Sequence, residues 1–73
     1  MAKFTYNDIV RAKPTADRRA RPGERAWVVA VLENREQFPL KQFPVGIIYS
    51  IEFEDGNAID VHENDLELVE RVG

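Results

Sequence analysis

Seventy-three residues without a cysteine set the scale of one domain near the lower limit for folding on an apolar core, and they exclude disulfides and thiolate metal sites. Hydrophobic side chains at 44% make such a core feasible, while a single histidine and carboxylates without calcium-loop spacing leave no metal or cofactor to expect. The net charge of −3 is unevenly placed, with seven basic against three acidic side chains in residues 1–25 and three against ten in residues 26–73, a dipolar distribution suited to orienting a charged partner.

In chain order, Phe4 to Ala12 reads as a first strand, with Phe4, Tyr6, Val10 and Ala12 in one phase. Lys13 to Glu24 is a long loop punctuated by Pro14 and Pro22-Gly23. Arg25 to Glu33 is a second strand whose run Trp27-Val28-Val29-Ala30-Val31-Leu32 is unbroken by charge. Such a run needs either cover on both faces or a bulge that shifts the phase midway. Asn34 to Pro44 is a second long loop. Val45 to Glu54 then alternates strictly, with Val45, Ile47, Tyr49, Ile51 and Phe53 on one face and Ile48 as the exception on the other. Ala58 to His62 and Leu66 to Val69 complete five strands, the last two joined by Glu63-Asn64-Asp65 as a single tight turn. Strands are therefore expected near residues 5–13, 25–33, 45–54, 58–62 and 66–70. Tyr49, Ile51, Phe53, Ile59, Val61 and Leu68 are expected in the core.

The hairpin register follows from keeping apolar and charged sets on separate faces. A two-residue Asp55-Gly56 turn would set Glu52 opposite Ile59 and mix them. A three-residue Asp55-Gly56-Asn57 loop, with Asn57 in the left-handed conformation, pairs Phe53 with Ile59 and Ile51 with Val61. On the other face it pairs Glu52 with Asp60 and Ser50 with His62.

Five short strands, two long loops, a tight third turn and the link Glu63 to Val69 resemble a small SH3-like barrel, an all-β fold of one domain spanning residues 1–73. The pattern Gly23-x-x-Ala26-x-Val28 is similar to the opening of ribosome-associated KOW segments. Phe43-Pro44-Val45 through Phe53 with the acidic ending resembles SH3-like subunits that accessorise electron-transfer complexes. The opening Phe4-x-Tyr6-x-Asp8-Ile9-Val10-Arg11 and the stretch Ile51-Glu52-Phe53-Glu54-Asp55-Gly56 resemble small bacterial immunity proteins of polymorphic toxin systems. That last resemblance implies a bacterial protein that binds and neutralises a cognate toxin. No stretch approaches a signal peptide or the roughly 20 apolar residues of a membrane span, so a cytoplasmic protein without membrane contact is expected.

Three residue groups bear on chemistry. Ser50, His62, Asp60 and Glu52 form the only hydroxyl–imidazole–carboxylate grouping, but an open strand face offers neither a sheltered pocket nor an oxyanion hole, so the chain reads as non-enzymatic. Arg18, Arg19, Arg21 and Arg25 could meet phosphate, yet no aromatic stacking partner is interleaved with them and ten acidic residues follow. Phe38, Leu40 and Phe43 lie in a loop where polar residues are the norm, and either cap the core or form an apolar patch. Trp27 fits a core or a binding surface equally well. The favoured surface joins Trp27, Phe38, Leu40 and Phe43, flanked by the arginine loop on one side or by Glu52, Asp60 and Glu63 on another, and the acidic flank suits a protein partner of basic surface such as a nuclease. The alternatives are a KOW-like RNA-binding module using the four arginines, and an accessory subunit of a larger enzyme.

Overall fold

Asn7 decides where the first strand begins. In the structure, a computed structural model that describes residues 2–34 and 45–71, Asn7 takes a left-handed φ of 69°. The chain turns there: the Asp8 N–H donates to the Thr5 carbonyl and the Thr5 N–H to Asp8 Oδ2, at 3.1 and 3.0 Å. Strand β1 therefore covers only Ile9–Ala12, shorter than the alternation from Phe4 suggests. The other strands lie close to their expected places: β2 Ala26–Asn34, β3 Gly46–Phe53, β4 Ala58–His62 and β5 Leu66–Glu70. Single 3-10 turns occupy Arg18–Ala20 and Glu63–Asp65.

All pairings are antiparallel, in one sheet of order β4-β3-β2-β1-β5. The chain is thus all-β, as its alternation implies. The apolar run of β2 is resolved by a bulge: the β2–β3 register shifts between Val28 and Ala30, leaving Val29 unpaired and exposed. Val28 then faces Ile51 and Val31 faces Tyr49 on the core side, while Trp27, Ala30 and Leu32 share the other face.

The core gathers Phe4, Val10, Ala12, Ala20, Ala26, Val28, Tyr49, Ile51, Phe53, Val61 and Leu66 on one face of the sheet. Ile48, the out-of-phase residue of β3, is fully buried on the opposite face, where it pairs with Leu32 and His62. Of the residues expected in the core, one departs from it and another packs only against its edge. Leu68 is 41% exposed and Ile59 only partly buried. Both lie on end strands, with a neighbour on one side alone, and on β5 it is Leu66, beside Ala12, that supplies the core contact.

The hairpin loop holds three residues but sits one position earlier than expected. The Phe53 N–H donates to the Asn57 carbonyl at 2.8 Å and the Gly56 N–H to the Phe53 carbonyl at 3.0 Å, so the loop is Glu54-Asp55-Gly56. Gly56, at φ 87°, takes the left-handed place instead of Asn57, since a glycine does so without steric cost. The pairs become Ile51 with Ile59, Tyr49 with Val61, Ser50 with Asp60 and Glu52 with Ala58. Every pairing moves by two residues, and no side chain changes face.

Candidate functional site

Strand alternation and the Val29 bulge place one large aromatic and a patch of polar side chains on the face opposite the core. Trp27 stands directly opposite Glu52, and Glu52 opposite Ala58. In the next row Ala30, Ser50 and Asp60 lie side by side, and the Ser50 hydroxyl donates to Asp60 Oδ1 at 2.8 Å. Glu52 and Asp60 are exposed and Trp27 is half-buried. Beyond Trp27 on β1 comes Ile9, and beyond Ile9 on β5 the exposed Glu70. The result is an aromatic centre with carboxylates on both flanks. Of the residues predicted for this surface, Trp27, Glu52 and Asp60 are brought together. Phe38, Leu40 and Phe43 lie outside the described residues.

Glu63 is not part of that face. Its carboxylate accepts the buried Tyr49 hydroxyl at 2.7 Å and the Lys3 backbone N–H at 2.9 Å, while the same Tyr49 oxygen accepts the Phe4 N–H at 3.1 Å. The Phe4 and Tyr49 rings meet edge to face, 5.2 Å apart. This network fastens the N-terminal arm to the 3-10 turn before β5. Burial, and then the hydrogen bond to Glu63, push the Tyr49 hydroxyl up to about 12. Burial pushes the Glu63 carboxyl up too, but the bonds from Lys3 and Tyr49 to its ionised form outweigh that and leave it below the usual range.

The fold therefore holds the neutral phenol of Tyr49. Its contribution is complete below about pH 10 and is lost as pH rises from about 10 towards 12. Tyr49→Phe is expected to cost about 1–3 kcal/mol at neutral pH, because the buried Phe4 N–H loses its acceptor. The variant should also lack the wild-type fall in stability over that alkaline window. Urea unfolding midpoints of both proteins at about pH 8 and pH 11.5 check this; an identical alkaline fall in the two would refute it.

His62 is committed to the backbone at both nitrogens. Nδ1 accepts the Asn64 N–H at 3.0 Å, so Nε2 carries the proton and donates to the Val45 carbonyl at 3.1 Å. The corrected register sets His62 across from Ile48 and Ser50 across from Asp60, so the Ser50–His62 pairing read from the sequence is not formed. Nothing in the strand alternation marks Asp8 for burial either. Its side chain is fully buried beside the turn at Asn7, with Oδ1 unpartnered among the described residues and Arg71 3.8 Å from Oδ2.

The arginines do not act as one patch. Arg21, left-handed at φ 50°, sends its guanidinium to Asp55 at 2.8 Å and lays it 4.6 Å from the centre of the Phe53 ring, tying the first long loop to the hairpin. The Asn57 N–H, then Arg21, hold the Asp55 carboxyl below the usual range. Arg19 is bound to Asp17 within its own loop. Arg25 shares an open cleft with Glu24, Glu54 and Asp55. Arg18 and Arg25 make no ion pair among the described residues. Also among the described residues, no group of three or more His, Cys, Asp or Glu is placed to hold a metal ion, and no helix is long and apolar enough to cross a membrane. Comparison with protein-family models, curated proteins and solved structures finds no match to this chain.

Proposed function

We propose that this chain is a non-enzymatic protein-binding module that engages a basic partner through the face of Trp27, Glu52 and Asp60. One observation carries the reading: an accessible tryptophan stands directly across from Glu52, with Asp60 one row further along the same face. A half-buried indole offers a large rigid contact at low entropic cost, and carboxylates beside it select and steer a cationic surface. Neutralisation of a toxin of the cationic, nucleic-acid-cutting kind is the form of this function that the resemblance to immunity proteins favours. Such a protein acts in the cytoplasm, where the toxin's targets are.

RNA binding is the weaker reading. Arg21 and Arg19 are already engaged with Asp55 and Asp17, and Arg25 lies among carboxylates. The test sets the two against each other. Glu52→Lys with Asp60→Lys should lower the association rate with a catalytically silenced basic nuclease domain about tenfold at low salt. A generic single-stranded RNA should not bind at about 50 mM salt. Tight, steeply salt-dependent RNA binding that Arg18→Glu and Arg19→Glu remove would replace the protein-partner reading with the RNA one.

A further inference from the structure

Hydrogen-bond parity shows which backbone groups of β4 are open. Val28 turns its N–H to the Asp8 carbonyl and its carbonyl to the Asn7 N–H, so its polar groups face β1. Trp27 and its partner Glu52 then face each other across the β2–β3 pair, and the residues next to Glu52, Ile51 and Phe53, face β4. The Phe53 N–H bond to the Asn57 carbonyl shows the same phase directly. It follows that Ile59 and Val61 turn their N–H and C=O groups to β3, whereas Ala58 and Asp60 turn theirs outward. β4 is an end strand, both residues are exposed, and among the described residues nothing bonds those outward groups. The 3-10 turn at Arg18–Ala20 reaches the core through Ala20, which clusters there with Val61, and makes no bond to this edge.

An open edge is a template for another strand, and charge decides which one. A second copy of this chain is opposed. In each antiparallel two-fold register that sets Asp60 opposite an outward-facing residue of the other β4, the Asp60 carboxylates meet directly or on the diagonal, within roughly 8 Å. Glu52, one strand inward on the same face, adds to the repulsion. The same two carboxylates attract a strand of opposite charge. We propose that the β4 edge takes an extended segment of a partner protein as an added strand, with lysine or arginine on every second residue lying over Asp60 and towards Glu52. This rests on the protein-binding reading above and specifies its mode.

The probe is an octapeptide of alternating lysine and valine, followed by NMR. At saturation it should slow amide exchange of Ala58 and Asp60 at least tenfold. Two blocks isolate the backbone contribution. Ala58→Pro removes only an outward N–H, which costs no ladder bond. The same peptide N-methylated on alternate residues, tested in both phases, leaves the protein untouched. Affinity should fall at least tenfold with Ala58→Pro, with the peptide methylated in one phase, and with Asp60→Lys. If neither block weakens binding while Glu52→Lys and Asp60→Lys still do, strand addition is wrong and the face-binding reading stands. Absence of any peptide binding also overturns strand addition, and the nuclease-domain experiment decides the wider reading independently.

Discussion

Ile51→Ala should remove about 2–5 kcal/mol of stability, roughly half of what a domain of this size holds, given about 0.05–0.15 kcal/mol per residue. Ile51 is fully enclosed, between Val28 on one side and Ile59 on the other. Truncation deletes three buried carbons and leaves a cavity that two flanking strands, fixed by their hydrogen bonds, cannot collapse. At about 4–8 °C per kcal/mol the midpoint of thermal unfolding should drop by at least about 8 °C. Val29→Ala is the matched control. Val29 lies in the same unbroken apolar run as Val28, yet it sits on the bulge and is 44% exposed, so its truncation should stay within about 0.5 kcal/mol. Comparable losses from the two substitutions, measured by urea unfolding, would mean that the bulge does not divide the run between core and solvent.

Gly46→Ala is expected to be nearly as damaging, by a different route. Gly46 has φ 138°, a region that side-chain-bearing residues rarely enter, and a Cβ there would stand 2.8 Å from His62 Nε2. The imidazole cannot swing aside cheaply, because both of its nitrogens are bonded to the backbone, one to Val45 and the other to Asn64. Strain and clash together should cost about 2–4 kcal/mol. A double-mutant cycle separates them: in a His62→Ala background the clash is gone and the cost of Gly46→Ala should shrink by at least about 1 kcal/mol. An equal cost in both backgrounds would assign the whole effect to the backbone.

Where side-chain period governs, the sequence was a good guide. The strict alternation around Ile51 placed β3 and β4 and put Glu52 and Asp60 on the polar face together. Trp27 joins them because the apolar run of β2 contains a bulge, which an unbroken run admits but does not locate. Alternation says nothing of left-handed residues. Asn7 ends the N-terminal arm short of a strand, and in Asp55-Gly56-Asn57 two neighbours tolerate the required conformation. Both choices keep every side chain on its face, so patterning could not separate them. Nothing local marks Glu63 as anything but a surface residue. Its partners, Tyr49 and the Lys3 backbone, are 14 and 60 residues away in sequence.

The sheet order also ranks its seams by the entropy of closing them. The β3–β4 hairpin is shut by a bond from Phe53 to Asn57, across four residues. The β1–β5 seam is stitched by contacts such as that of Arg11 with Glu67, separated by 56 residues. That ratio is nearly four doublings of loop length, each worth about 0.6 kcal/mol, so the second closure is dearer by roughly 2 kcal/mol before any contact repays it. β1, only four residues long, must hold β5 on one side while it holds β2 on the other. The shortest strand of the sheet is thus the one through which its most distant parts of chain become a single cooperative unit.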